Sequence, residues 1–391
     1  MRILVVSPVL PHLPSRDAAR VATSHLAAQL SDRHTVGVVA ATGAADTPIA
    51  RAWLARRVAW LDTLPVRRWR HPISGRPADG LSALAGAVGR ARALFRPDVV
   101  HLEGPLLAPL ARVAGAPSVL ACHESSALRA HDTARQPGPA WRRVRARLHE
   151  RVESGWERHW FAGVAACVVE SEEDRQAIAA RIPFDRVEVL AAGIDAEQYA
   201  YRRVGEKARV VFTGQLGLPR DVEAARRLAT AIMPRVRRRL PRAELLVASA
   251  ESAATVRDLA GLEAVRVEGT LPDLRPSVWS GSVYVSPLDG GFGNKARLLE
   301  ALALGTPVVA SPASLSGLPD VLPGHHVLTA ESDREFADAV SLLLREPVVA
   351  NTFARNAREL VERRFTWRTV AQRYEALYAR LAGAAPAERA A

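Results

Sequence analysis

The residues best suited to chemistry lie in one run, Asp289 to Leu318, which reads DGGFGNKARLLEALALGTPVVASPASLSGL. An apolar strand pattern ends at Pro287, glycines follow at Gly290, Gly291 and Gly293, and a helical pattern starts near Lys295. Glycines let a ligand approach the backbone, and a helix N-terminus offers unpaired N–H groups and a partial positive charge. Lys295 and Arg297 add two full cations at that same end, where the helix dipole disfavours them. An anion between them, such as a diphosphate, removes the conflict. The alternative is an ordinary loop-helix turn with a solvated basic face. One turn further on, Glu300 offers a carboxylate to the hydroxyls of a ribose diol.

The elements that must position these groups follow a regular alternation. Ile3 to Val6 reads as a buried strand, followed by a proline-rich loop and a helix from about Ala18 to Leu30. Thr35 to Ala40, Asp98 to Leu102, Ser118 to Cys122 and Ala165 to Val169 continue the strands, with a helix over Leu81 to Leu94. The pattern restarts at Ala208 to Thr213, with a helix from Val222 to Leu240 and a strand Ala243 to Ala248. Val265 to Glu268, Val283 to Pro287, Pro307 to Ala310 and His326 to Leu328 complete it. Strand–helix alternation predicts parallel sheets covered by helices on both faces. The expected α/β organisation is two consecutive Rossmann-like domains, residues 1–198 and 199–366, with a polar junction between Asp195 and Lys207. An amphipathic helix, Trp367 to Leu381, packs back on the first domain, and an Ala-rich tail follows Gly383. Ligands of open α/β sheets bind outside the carboxyl ends of the strands, so the chemistry is expected in the loops there.

Composition narrows the setting. The chain has 391 residues, 48% hydrophobic and 24% charged, and a formal net charge of +12. That length exceeds one compact core and suits two domains. A surplus of positive charge suggests a polyanionic partner. Yet Lys207 and Lys295 are the only lysines among the 53 basic residues, a skew toward arginine that reads as genomic codon bias. Two cysteines, Cys122 and Cys167, make neither a disulfide framework nor a Cys-rich zinc site, and point to a reducing cytoplasm. The opening MRILVVSPVLP is too short an apolar run for a secretory signal, and no segment reaches the ~20 apolar residues that cross a bilayer.

The run G-x-G-x-K-x-R-x-L-E-A-x-A-x-G-x-P-V-V-A-S, ending in G-L, resembles the donor-binding motif of glycosyltransferase family 4. Further blocks are similar in the same order. FTGQLGLPRDV (Phe212 to Val222) resembles the opening of the family's second domain, and Met233 to Val247 continues it. VLAAGID (Val189 to Asp195) is similar to the P-N-G-V-D turn, and the run VVESEEDR ending at Arg175 to the V-V-S-E segment. Arg266 to Asp273 and Trp367 to Tyr378 match later blocks. The resemblance implies the GT-B fold, two Rossmann-like domains facing one another across a cleft.

It also implies roles. Lys295 and Arg297 hold the donor's diphosphate, Glu300 binds the ribose, and Gly291, Phe292, Gly293 and Asn294 approach the diphosphate and sugar. Backbone groups at Arg266, Val267 and Glu268 meet the base edge, and Arg220, in the loop after Gly214, supplies a second cationic contact or is an ordinary exposed arginine. Such cations stabilise departing diphosphate without the Asp-x-Asp metal motif of other glycosyltransferases, and no Asp-x-Asp occurs here. Cofactors are therefore expected to be none, and no metal site is expected. The chain also departs from the pattern. Phe292 stands where many members carry a Glu that contacts donor-sugar hydroxyls, Ala192 replaces the Asn of the turn, and Ser249 replaces a glycine. The first loop, LPSRDAAR, lacks the family's Gly-Gly pair and offers Arg16 as an electrostatic substitute.

In the first domain His123 and Glu124 follow a strand, where the family often has a His facing the cleft. A histidine there donates to a sugar hydroxyl, accepts its proton, or is simply structural. Glu103 ends another strand and is a candidate for positioning the acceptor hydroxyl. His131 and Asp132 lie in the adjacent loop, and His325 and His326 lack further ligands at metal spacing. Two basic stretches remain. Trp141 to Trp160 has apolar residues at helical spacing and reads as a helix packing one face on the domain. Arg51 to Arg76 carries Trp53, Trp60 and Trp69, which suit either interior packing or peripheral membrane contact.

The function expected from these readings is a retaining, metal-independent hexosyltransferase that moves a sugar from a UDP-, GDP- or dTDP-linked donor to a hydroxyl acceptor. The alternative is a catalytically silent GT-B-like nucleotide or glycan binder. A dinucleotide enzyme is disfavoured, since Pro8, Pro11 and Pro14 follow the first strand with no Gly-x-Gly-x-x-Gly. Nucleic acid is not an expected partner, because no reader module accompanies the charge.

Overall fold

A computed structural model describes residues 1–15, 17–43, 46–66, 79–135, 140–202, 207–289 and 295–383. The chain divides into two compact units, Met1–Ala191 with Trp367–Ala391, and Ala192–Thr366. Each is a parallel sheet flanked by helices.

The first unit contains β1 (Arg2–Ser7), β2 (Thr35–Thr42), β3 (Trp60–Pro65), β4 (Val99–Glu103), β5 (Ser118–His123), β6 (Ala166–Val169) and β7 (Val187–Val189). Their order across the sheet is β3-β2-β1-β4-β5-β6-β7, all pairs parallel. The second unit contains β8 (Arg209–Thr213), β9 (Glu244–Ala248), β10 (Val265–Glu268), β11 (Val283–Ser286), β12 (Val308–Ala310) and β13 (Leu328–Thr329). Their order is β10-β9-β8-β11-β12-β13, again parallel throughout. Both sheets reverse direction of winding at their centre, between β1 and β4 and between β8 and β11. Those switch points are where a doubly wound sheet opens a crevice at its strand ends.

The central strands are continuous apolar runs because helices cover both faces. Ile3 to Val6 and Val283 to Val285 are fully buried. β3 and β7, absent from the strand expectations, are edge strands. β3 is only half-buried along most of its length and β7 has three residues, so neither carries a strong apolar signature. The expected helix Val222 to Leu240 is Pro219–Arg227 and Met233–Arg239 joined by a π-helical turn, Leu228–Ile232.

The second unit begins at Ala192 rather than at 199. The segment before Tyr201 is tied into it by Arg358, whose guanidinium donates to the carbonyls of Tyr199 and Ala303 at 2.6 Å and of Ala196 at 3.2 Å. Ile194 N–H donates to Phe365 O at 2.7 Å. Trp367–Gly383 returns to the first unit as the amphipathic pattern predicts. It buries Val370, Ala371, Tyr374, Leu377 and Tyr378 in the core formed with Ile3, Val5, Leu26, Leu30 and Val38. The Ala-rich tail, residues 384–391, lies outside the described residues.

Trp53 and Trp60 take the interior option. Trp60 packs against the core beside Phe95, ring centroids 6.1 Å apart, and Trp53 packs against the core on the other face of the sheet. Trp69 lies outside the described residues. Among the described residues no helix is long and apolar enough to cross a membrane.

The returning helix makes a direct prediction. Leu377→Ala removes a buried side chain from the first unit's core, and is expected to lower stability by about 2–5 kcal/mol. A chemical denaturation midpoint unchanged from the parent chain would contradict that packing.

Candidate functional site

In the second unit the candidate groups gather at the carboxyl ends of the central strands. The helix Lys295–Leu304 follows β11. Leu298, Leu299 and Ala301 to Leu304 are all buried, which explains why its sequence is apolar nearly all round. It ends at Gly305, φ +77, where the N–H groups of Gly305 and Thr306 reach back to the carbonyls of Leu302 and Ala301.

Lys295 opens this helix and is only 8% exposed. Its stem lies across Gly317. A Cβ at that glycine would stand 2.4 Å from Lys295 Cε and 2.7 Å from both Cδ and Nζ, and the glycine has φ +84. Gly317 is thus required twice, by backbone conformation and by the passage of the lysine. The segment that carries it is held by hydroxyls. Ser286 Oγ donates to Ser314 Oγ at 3.0 Å, Ser314 Oγ donates to Ser286 O at 2.9 Å, and Ser311 Oγ donates to Leu288 O at 2.5 Å. These bonds knit the ends of β11 and β12 together.

Arg297 is 21% exposed along its side chain and lies 3.9 Å from Glu300 Oε2. Tyr199 O–H donates to Glu300 Oε1 at 3.2 Å. Burial raises the Glu300 pKa against the opposing pull of Arg297 and of the tyrosine hydrogen bond. Burial and the carboxylate together push the Tyr199 phenol well up, so it stays a donor. Arg275 lies over the Tyr199 ring, 5.9 Å from its centroid, and is itself paired with Asp273 at 2.9 Å.

The loop after β8 is the other wall. Gly214 packs against Phe212 and Asp221, with a Cβ there 2.9 Å from the phenyl ring. Asp221 accepts the Gln215 N–H at 2.6 Å and lies 3.5 Å from Arg220 Nε. Burial raises the Asp221 pKa, with Arg220 and Arg297 among the groups that oppose it. Arg220 and Arg297 therefore share one electrostatic neighbourhood. Arg227 pins the surrounding loops, contacting Asp333 at 2.7 Å, Asp289 at 3.0 Å and Pro287 O at 3.3 Å.

Arg266, Val267 and Glu268 lie on edge strand β10. Arg266 is 65% exposed along its side chain, which lies 3.8 Å from Glu244. The strand's far end is tied to the loop after β9, since Ser249 N–H donates to Glu268 O at 2.9 Å and Thr270 N–H to Glu251 O at 2.7 Å. Gly217 N–H in turn donates to Glu251 Oε2 at 3.3 Å, bringing the loops after β8, β9 and β10 together. Gly291, Phe292, Gly293, Asn294 and Arg16 lie outside the described residues.

The first unit holds a separate polar cluster at its own strand ends. Glu103, 3% exposed, ends β4 and accepts hydrogen bonds from His101 Nε2 at 3.0 Å and from His123 Nε2. His123 Nδ1 meets Glu170 Oε1 at 3.0 Å. Tyr378 O–H lies 2.7 Å from His101 Nδ1. With Nε2 of His101 donating to the carboxylate, Nδ1 is the acceptor and Tyr378 the donor, a tautomer assigned from the hydrogen-bond pattern. His123 sits at a β-bulge with φ +62, and its side chain is 37% exposed.

Burial would disfavour a charged His123, but Glu103 and Glu170 outweigh it and raise its pKa well above the ordinary histidine value. Burial also works against a charged Glu103, and the two histidines hold its carboxyl well below the usual carboxylate range. Both His123 nitrogens thus donate to carboxylates, which leaves no lone pair for taking a proton. Glu124 pairs with Arg129 at 2.5 Å, and His131 with Glu150 at 2.9 Å. Burial raises the Asp132 pKa. Among the described residues no group of three or more His, Cys, Asp and Glu side chains is arranged to hold a metal.

Sequence reasoning overlooked Gly317, Tyr199, His101, Glu170 and Tyr378 as parts of these clusters. Gly317 was visible as the end of the recurring run, and His101 shares a strand face with Glu103 at spacing two. Tyr378 had no local signal, being distant in the chain.

Two family models match the chain: "Glycosyltransferase Family 4" over residues 19–198 and "Glycosyl transferases group 1" over residues 207–346. A phosphatidyl-myo-inositol mannosyltransferase of Mycobacterium leprae is 29% identical over 297 residues, covering 72% of this chain and 73% of the relative. Among solved structures, HepE of Anabaena in complex with UDP and glucose superposes with TM-score 0.64 at 15% identity, covering 97% of this chain and 100% of that one. Sucrose-phosphate synthase of Thermosynechococcus elongatus gives TM-score 0.70 at 16% identity, covering 98% and 100%. The shared architecture is the GT-B fold.

Two predictions follow from the geometry. Gly317→Ala forces both a strained backbone and a displaced Lys295, and is expected to lower stability by about 1–3 kcal/mol, measured by chemical denaturation. Glu103→Gln should lower the His123 titration midpoint, read from its imidazole C–H resonances. The sign of the stability effect is set by the direction of each shift. The raised His123 pKa stabilises fully below about 6.5 and is lost as pH rises through the folded-state value. The depressed Glu103 pKa stabilises above about 4.5 and is lost only as pH falls through its folded-state value. The variant should therefore lose stability most in the window between 4.5 and 6.5.

Proposed function

The chain belongs to the family 4 glycosyltransferases, and on that premise we propose that it transfers a hexose from a nucleotide-sugar donor to a hydroxyl acceptor with retention of configuration and without a metal. The observation that carries the reading is the buried Lys295 stem across Gly317, which fixes an ammonium at the N-terminus of the helix after β11, the helix that also carries Arg297 in its first turn. Arg220, near Asp221 and Arg297, supplies a further cation to the same neighbourhood.

In the reaction the bond between the anomeric carbon and the donor's diphosphate breaks, and its electron pair leaves with the diphosphate. Lys295, Arg297 and Arg220 stabilise that developing charge through a site already built to hold an anion. The acceptor oxygen attacks from the face the diphosphate vacates, and its proton passes to a diphosphate oxygen. Glu300, held by Tyr199, accepts hydrogen bonds from the ribose hydroxyls. Arg266, Val267 and Glu268, with the joined loops after β8 and β9, flank the base. His123 acts as a fixed imidazolium that orients the transferring sugar or the acceptor, with Glu103 positioning it, and Glu124 and Arg16 belong to the acceptor side. The nucleotide is a UDP, GDP or dTDP. The solved relative with UDP and glucose favours UDP, and the phosphatidyl-myo-inositol mannosyltransferases favour a lipid-linked acceptor, met at the cytoplasmic membrane face.

The test is transfer and donor hydrolysis with UDP-, GDP- and dTDP-sugars, for the parent chain and Lys295→Ala. Turnover should fall by about 100-fold or more in the variant, the scale set by losing one charge-stabilising group. Melting curves should show the fold retained. Undiminished turnover in Lys295→Ala would remove the proposal, as would a parent chain inert toward every donor yet able to bind one.

A further inference from the structure

The helix Ala140–Trp160 is oriented differently from an ordinary surface helix. Ala146, Glu153 and Glu157 are its buried positions, and Trp156 and Trp160 pack partly on the core. The apolar spacing predicts a helix that packs one face on the domain, and Trp156 and Trp160 do so. A second apolar set faces solvent: Trp141 is 60% exposed, Val144 64%, Leu148 63% and Val152 48%. At about 100° per residue these four form one row on the side opposite the buried positions.

The charges are sorted in the same sense. Arg142, Arg143, Arg145, Arg147, Arg151 and Arg158 are all exposed. The carboxylates turn inward. Glu157 accepts from Ser125 Oγ at 3.0 Å and from Ala127 N–H at 3.1 Å, Glu153 lies 3.7 Å from His149, and Glu150 is half-buried against His131. The outward face is therefore apolar along its middle, with Arg151 and Arg147 on one flank and Arg145 on the other. A solvated helix face has no use for a tryptophan, a leucine and two valines in line, and contiguous exposed apolar residues mark an interaction surface.

We propose that this face lies on an anionic lipid bilayer. The apolar row enters the boundary between headgroups and acyl chains, while the arginines keep their guanidiniums at the lipid phosphates. Charge selects this occupant. A second copy of the chain would set the same arginines against each other, because a two-fold contact opposes identical surfaces. Nucleic acid would satisfy the arginines and leave the apolar row unused. The surface is separate from the stretch Arg51 to Arg76, where Trp53 and Trp60 pack inward.

The experiment is co-sedimentation of the full chain with vesicles of phosphatidylcholine alone and of phosphatidylcholine mixed with phosphatidylglycerol. Binding to the mixed vesicles should be about tenfold tighter or more, and should weaken as salt is raised. Two variants separate the contributions: Val144→Ser with Leu148→Ser, and Arg145→Gln with Arg147→Gln and Arg151→Gln. Each should reduce binding by about tenfold with melting temperature preserved, since the altered side chains are exposed. Equal binding to both vesicle types, or variants that bind as the parent does, overturns the proposal. So does a dimer in solution that the Leu148 change dissociates, or a preference for a DNA duplex over the mixed vesicles. The readout is binding rather than turnover, so it stands or falls apart from sugar transfer.

Discussion

A buried lysine at the start of a helix is the constraint around which the second unit is organised. Lys295 is buried where the helix dipole disfavours its ammonium and where water is stripped from its stem. Gly317 leaves room for the stem, the hydroxyls of Ser286, Ser311 and Ser314 fix the segment carrying that glycine, and Arg227 pins the loops on the other side. On the proposed reading, a cation held by packing in this way is preorganised for the donor's diphosphate.

The first unit uses the opposite device. There a carboxylate is buried and histidines compensate it. Glu103 remains ionised because His101 and His123 both donate to it, and Glu170 secures the second nitrogen of His123. The network reaches Tyr378 on the returning helix, whose O–H donates to His101 Nδ1 and so sets the tautomer that presents Nε2–H to Glu103.

The two clusters differ in how far they could be read in advance. Lys295, Arg297 and Glu300 stand within one turn-and-a-half of helix, so their spacing carried their relation. Gly317 was present in the same run, but its need became visible only when the lysine stem was seen to cross it. His123 and Glu103 were singled out from separate strand ends. Their direct bond depends on β4 and β5 being neighbours, and strand order is not written in local periodicity. In Ala140–Trp160 the tryptophans Trp156 and Trp160 pack on the core while Trp141, Val144, Leu148 and Val152 face solvent, a division that is likewise not local. Helical spacing shows that they share a face, and says nothing about which face meets the core.

Sequence by itself determined the α/β alternation, the two-domain organisation, the family and the cationic helix start, because each rests on residues close in the chain or on a run of matching blocks. Tertiary structure decided which carboxylates meet which histidines, where Lys295 runs, and which side of the Ala140–Trp160 helix faces solvent. Those outcomes depend on contacts between residues tens to hundreds of positions apart. Packing and desolvation set them after the strands have ordered, and no local spacing encodes them.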